Sequence, residues 1–223
     1  MKREEYARRV NAEPEHLSWT LTQWLEFYYT RLWSVADHGL FKNLDDQYQA
    51  DFHKVFRNLT MYFVGDESGP YNLRKGIRLY GPTGVGKTLL LRTFAENPTK
   101  PFIVKGAIEL ANEFKGKDGG EEFFIKYSNV MQHVGSNKFG VKSRLLCIDD
   151  LGVENPTVKR YGEEYNLFQD LIQQLYTNRV LFHVSDNLTS THVQQRYGDR
   201  VESRFCEIFN EIDLSGFPDI RRL

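Results

Sequence analysis

"GIRLYGPTGVGKT", Gly76 to Thr88, is the stretch from which the fold can be read. A short β-prone run, Gly76 to Tyr80, leads into G-x-x-x-x-G-K-T at Gly81 to Thr88, and a helical pattern follows over Lys87 to Ala95. By average residue frequencies a chain this long matches that string by chance on the order of 1% of the time, and requiring a strand before it and a helix after it lowers the figure further. Glycines let the backbone wrap closely around phosphate oxygens, and their N–H groups join the helix N-terminus in an anion cradle. The expected nucleotide-binding set is Gly81, Pro82, Thr83, Gly84, Val85, Gly86, Lys87, Thr88 and Leu89. Lys87 is placed to reach the β- and γ-phosphates of ATP, and the Thr88 hydroxyl to bind Mg²⁺.

Downstream, "SRLLCIDDLGVE", Ser143 to Glu154, ends an apolar run in two acids. A buried carboxylate is costly unless something pairs with it. With a P-loop upstream, Mg²⁺ supplies the partner: Asp149 is expected to hold the metal with Thr88, and Asp150 to polarise an attacking water. Without the P-loop the same pair would read as a solvated strand end.

Around these two motifs the hydrophobic period alternates. β-rich runs are expected at Gly76–Tyr80, Pro101–Lys105, Arg144–Asp149, Val180–Ser185 and Glu207–Leu214. Helical patterns fall at Ala107–Phe114, Glu121–His133, Glu163–Asn178 and Thr191–Arg204. Apolar strands alternating with helices predict an α/β, three-layer core on a five-stranded parallel sheet. Upstream, Leu21, Trp24, Leu25, Tyr28, Leu32 and Val35 form one helical stripe, and Tyr48, Phe52, Val55, Phe56, Leu59 and Phe63 a second. Two regions result, an N-terminal helical region over 1–70 and an ATPase core over 71–223. Trp24 and Tyr28 are expected in the core, while Trp19 and Trp33 are open to either packing or a protein partner.

No run of this chain approaches the roughly 18 apolar residues of a membrane span, and the charged start "MKREEYARRV" has no apolar h-region, so a cytoplasmic location is expected. Cys147 and Cys206 have no metal-ligand spacing, and both are expected as small buried hydrophobes. The formal net charge of −1 neither favours nor excludes nucleic acid. Lys115, Lys117, Lys126, Lys138, Lys142 and Arg144, interleaved with Phe123, Phe124 and Tyr127, suit single-stranded DNA. The same aromatics have the spacing of a buried helix face, and Asp118, Glu121 and Glu122 offset the charge.

"GIRLYGPTGVGKT", "LLCIDDLGVE", "HVSDNLT" and "YGDRVESRF", in this order, resemble the AAA+ ATPases of the DnaC/DnaI helicase-loader and IstB transposition-helper group, over about Tyr71 to the C-terminus. The resemblance implies an AAA+ P-loop NTPase core without a C-terminal lid domain. It implies that Asn187 positions the attacking water; the other reading of Asn187 is a helix cap. It further implies that Arg204 is an arginine finger acting in trans, with Arg200 one turn earlier; the other reading of both is a surface ion-pair ladder with Glu202 or Asp199. A finger in trans makes the protein a head-to-tail homo-oligomer. Arg221 and Arg222 either reach the nucleotide or end the chain as solvated charges. Aspartate at position 150, where most AAA+ enzymes carry glutamate, predicts slow hydrolysis. The function implied is a Mg-ATP-dependent loader in DNA replication, with a replicative helicase as partner. An IstB-like helper acting with a transposase stands second. A P-loop small-molecule kinase and a nucleotide-gated interaction module without turnover are the readings from other classes.

Overall fold

The computed structural model describes residues 18–35, 46–117, 119–132 and 136–222. Two helices, α1 (Leu21–Val35) and α2 (Asp46–Val64), precede β1 (Gly76–Tyr80), α3 (Lys87–Phe94), β2 (Phe102–Gly106), α4 (Ala107–Lys115) and α5 (Glu121–Tyr127). Then come β3 (Met131–Gln132), β4 (Ser143–Leu151), β5 (Val158–Arg160), β6 (Glu163–Tyr165), α6 (Leu167–Thr177) and β7 (His183–Asp186). The chain continues through α7 (Ser190–Tyr197), α8 (Asp199–Ile208), β8 (Phe209–Asp213) and a 3₁₀ turn, Ile220–Arg222.

The five expected runs form a parallel sheet in the order β2-β4-β7-β1-β8. Side chains alternate across it: Leu146 and Ile148 of β4 enter one apolar cluster and Cys147 the other, so each face is covered. Strand β7 lies between β1 and β4, and its end therefore emerges between the P-loop and the acid pair. Ligands of open α/β sheets bind at this carboxyl edge.

The second cluster is where the upstream helices dock. Trp24, Tyr28, Phe56 and Phe63 are buried, and the rings of Tyr28, Phe56 and Phe63 lie 4.6, 5.2 and 5.1 Å from Phe94, the last residue of α3. Aromatic pairs at these separations add to the apolar area they bury. The P-loop helix is thus braced by α1 and α2. Trp19 is half-buried with its ring 4.7 Å from that of Trp24, and Trp33 is half-buried as well.

Several boundaries depart from expectation, each for a local reason. The helix expected over Glu121–His133 stops at Tyr127, and Met131–Gln132 pairs antiparallel with the start of β4; His133 lies outside the described residues. The helix expected from Glu163 starts at Leu167, where Asn166 caps it by accepting the Gln169 N–H. Before it stands a β5–β6 hairpin whose two-residue tip, Tyr161 and Gly162, has φ of 51° and 89°, the signature of a primed turn. Gly198, at φ 86°, breaks the helix expected over Thr191–Arg204 into α7 and α8. Strand pairing of β7 begins at His183 instead of Val180. Cys147 is buried as expected, whereas Cys206 is exposed on α8, because it falls outside the face that buries Val201 and Phe205. No described helix is long and apolar enough to cross a membrane.

Candidate nucleotide-binding site

The site grows from the turn between β1 and α3. Gly84 sits at φ 91° and Gly86, the residue that caps the start of α3, at φ 93°, a backbone region that side chains rarely adopt. At Gly84 a Cβ would also come within 2.0 Å of the Asp219 carboxylate. The Lys87 ammonium, 6% exposed, donates to the carbonyls of Gly81 (2.7 Å) and Pro82 (2.8 Å). Burial lowers its pKa, and Asp150, Asp186 and Asp149 pull the other way.

Asp149 is buried at the end of β4, where its Oδ1 accepts from the Thr88 hydroxyl at 3.0 Å and from the Ser185 hydroxyl at 2.5 Å. Asp150 faces the other way. The β4–β7 register shifts between Ile148 and Leu151, and Asp150 takes φ 54° at that irregularity while its N–H donates to Ser185 Oγ at 2.9 Å. Burial first, then the charge of Asp149, raises the Asp150 carboxyl above its ordinary value, opposed by Lys87.

Asp150 shares a cavity of about 300 Å³ with Thr83, Gly84, Gly86, Lys87, Thr88 and Leu89 of the P-loop, together with Val35, Ile220 and Arg221. Val85 is buried beside it. The residues fit Mg²⁺: Thr88 and Asp149 offer hard oxygen donors within hydrogen-bonding distance of each other, beside the anion cradle. Among the described residues no group of three or more His, Cys, Asp or Glu could hold a metal. Mg²⁺ itself needs only one or two protein oxygens, since phosphate and water complete its shell.

Two lining residues, Val35 and Ile220, lie outside the expectations from sequence, whereas Arg221 is expected either to reach the nucleotide or to end the chain as a solvated charge. Val35 arrives from the end of α1, and the tail arrives because the Ile220 N–H donates to Gly84 O at 3.0 Å. Arg221 is at the cavity rim with its Nε 3.0 Å from Asp219, and Arg222 also pairs with Asp219. Ser185 is the third omission; it stands in a strand that also carries His183 and Asp186, and no spacing marks its hydroxyl.

Asn187 and Arg204 stand outside this cavity. Asn187 is exposed just past β7, and the cap of α7 is Thr189, which accepts the His192 N–H, so the capping role falls to a different residue. Arg204 is half-buried with its guanidinium 4.2 Å over the Tyr176 ring, while Arg200 is exposed. Glu202 engages Ser190, and Asp199 engages Gln194.

The aromatic and basic residues between the second and third expected runs do not form a stacking surface. Phe123 and Tyr127 are buried in the core. Lys126 pairs with Glu113, Arg144 with Glu96, and Lys138 lies over the Phe27 ring. Lys115, Lys117 and Lys142 remain exposed, and Asp118 lies outside the described residues.

No family model matches the chain. A crystal structure of the DnaC helicase loader aligns with a TM-score of 0.53 at 19% identity, over 82% of this chain and 98% of that one. A crystal structure of DnaI aligns with a TM-score of 0.51 at 20% identity, over 86% and 93%. The peroxisomal ATPase PEX1 of Dictyostelium discoideum is 42% identical over 95 residues, 36% of this chain and 8% of that protein, so the chain spans less than a tenth of its length. The chain therefore has the fold of the DnaC and DnaI structures, an α/β fold built here on a five-stranded parallel sheet.

Proposed function

We propose that this chain is a slowly hydrolysing Mg-ATPase that loads or recruits a DNA-processing partner, a replicative helicase, in the manner of the DnaC helicase loader whose fold it resembles. The observation that carries the reading is the Thr88–Asp149–Ser185 cluster set against the P-loop, in a fold aligned over most of the chain with DnaC and DnaI. Lys87 would exchange its two loop carbonyls for phosphate oxygens, and Thr88 and Asp149 would hold Mg²⁺. When bound there, Mg²⁺ would neutralise charge that develops as the γ-phosphoryl group passes to water. Asp150, on the cavity wall with a raised pKa, is the group to orient that water and take its proton. Asn187 would position the same water.

Arg204 acts in trans in this reading and the assembly is head-to-tail; its guanidinium lies over the Tyr176 ring, outside its own chain's cavity. The helical region expected over 1–70 would bind the partner and the core over 71–223 would bind ATP, with Val35 of α1 reaching into the ATP cavity and so joining the two. Single-stranded DNA would be met at the β5–β6 hairpin: Tyr161 is 90% exposed at its tip, beside Lys159 and Arg160. The exposed ring suits base stacking, while Lys159 pairs with Glu164 and Arg160 donates to the carbonyls of Phe114 and Gly116.

The test is phosphate release with purified protein, alone and with the replicative helicase and single-stranded DNA. Arg204→Ala and Asp150→Asn should each be nearly inactive, and a 1:1 mixture should recover activity at about a quarter of the interfaces, those joining an intact site to an intact finger. No recovery, with oligomers shown to form, removes the trans finger. Retention of a transposase instead of the helicase by the ATP-bound protein would replace the loader reading with the transposition-helper one.

A further inference from the structure

We propose that Arg78 is a positioning residue that ties the strand end carrying Asn187 to the helix carrying Arg204, so that each subunit's water-positioning segment and the finger it offers its neighbour move together. The proposal rests on the roles given to Asn187 and Arg204 above.

A guanidinium buried in a central strand is a costly choice, since an apolar residue would serve the sheet as well or better. Arg78 is 5% exposed. All three of its nitrogens are engaged. Nε and Nη2 fork onto the Asp186 carboxylate at 2.7 and 3.0 Å, Nη2 also donates to Leu188 O at 2.9 Å, and Nη1 donates to Glu211 at 2.5 Å. Asp186 and Leu188 are the two neighbours of Asn187. They are also bound to each other, the Leu188 N–H donating to Asp186 Oδ1 at 2.9 Å. In addition, Asp186 O accepts the Gly81 N–H at 3.3 Å, which attaches this corner to the first residue of the P-loop. Asn187 is therefore held from both sides by one guanidinium.

The same guanidinium lies 5.0 Å from the centroid of the Phe205 ring. Phe205 is buried in α8 and follows Arg204 directly. Cation–π contact in a desolvated setting is stronger than at a surface, and a packed core passes on displacement instead of absorbing it. A shift of the 186–188 corner must therefore break the fork or carry Phe205, and with it the backbone of Arg204. This is a short chain of direct contacts, each of which can be cut separately.

Arg78→Lys keeps the charge and loses the fork, because one ammonium cannot reproduce the planar donor set. It should bind ATP within about threefold of the parent and lose at least about tenfold in turnover, a split that general loosening would not give. The decisive measurement uses 1:1 mixtures with Arg204→Ala, whose sites are intact and whose fingers are absent. Asn187→Ala subunits should rescue it, since their α8 is undisturbed; Arg78→Lys subunits should rescue it less than half as well. Phe205→Leu provides the second test should Arg78→Lys fail to fold, because it leaves the Arg78–Asp186 pair intact. Its sites should turn over when served by Asn187→Ala fingers, while its own fingers fail to rescue Arg204→Ala. Equal rescue by all three variants, unchanged turnover in Arg78→Lys, or parallel loss of its binding and turnover overturns the proposal. If Asn187→Ala itself gives no rescue although oligomers form, the trans-finger reading falls and this proposal with it.

Discussion

Ser185→Ala removes one oxygen and should uncouple nucleotide binding from hydrolysis. The hydroxyl donates to Asp149 at 2.5 Å and accepts the Asp150 N–H at 2.9 Å, in a fully buried position. Losing the first contact removes a charge-assisted hydrogen bond, and losing the second leaves a backbone donor without its acceptor; each is worth about 1–3 kcal/mol. The second loss also frees Asp150 from a left-handed backbone that costs a non-glycine residue about 1–2 kcal/mol to hold. Relaxation of that backbone would carry the Asp150 carboxylate off the cavity wall. Part of the total falls on folding, so about 1.5–2.7 kcal/mol remains for the transition state, a drop in kcat of about 10- to 100-fold. The assay is phosphate release at saturating Mg-ATP, with Mg-free ATP affinity as the control for the P-loop, which Ser185 does not touch. Mg-free affinity should hold within about twofold while half-saturation by Mg²⁺ moves to higher concentration, and Ser185→Thr should restore most of the loss. A kcat within twofold of the parent, or loss of Mg-free affinity, would show that Ser185 does not position the two acids.

Lys87→Ala deletes an ammonium that lies over the P-loop and should weaken ATP binding by about 10- to 100-fold by titration of a labelled nucleotide; undiminished affinity would displace the P-loop as the site. His183 is fully buried, accepts the Ile77 N–H at Nδ1, and has its pKa pushed down to about 3, first by burial and then by Lys100. Its folded pKa lies below the unfolded 6.5, so the unfolded chain binds the extra proton and stability falls as the pH drops below 6.5. By pH 5 the loss is about 2 kcal/mol in urea unfolding, and it should be absent from His183→Leu; an equal pH slope in that variant refutes it. Tyr161→Ala should weaken retention of single-stranded DNA by about 1–3 kcal/mol, with ATP affinity unchanged, and equal retention would move the DNA surface elsewhere.

What was legible in the sequence is what rests on local chemistry. The P-loop string, the apolar runs and the acids ending one of them each have a physical reason that acts within a few residues. The stripes of α1 and α2 were equally plain, though not that they would close on Phe94. Less legible were features that depend on which distant segment arrives. Val35 and Ile220 line the P-loop cavity because of tertiary packing, and no spacing rule points to them. Phe123 and Tyr127 have one spacing that serves a core face and a stacking surface alike, and burial decided for the core. The β5–β6 hairpin was missed because its tip pairs glycine with tyrosine, where asparagine or aspartate would have marked the turn.

Asp150 shows how a motif can conceal its own geometry. A two-residue acid pair at a strand end invites an argument about side-chain length, in which aspartate falls one methylene short of glutamate. In the structure the acids differ in backbone before they differ in reach. Asp149 continues the strand into the core, while Asp150 is turned out at φ 54° where the β4–β7 register slips. Where its carboxylate lies is therefore set by the bulge, and the bulge is held by Ser185 on the neighbouring strand. Because β7 also runs on through Asp186 into Asn187, the proposed base and the proposed water-positioning amide hang from a single strand. Arg78 grips that strand at Asp186, one residue beyond Ser185. A displacement of β7 by even a fraction of an ångström would move both groups relative to the P-loop. Control over turnover then follows from how firmly this one strand is held, and side-chain length at position 150 adjusts a reach that the backbone has already set.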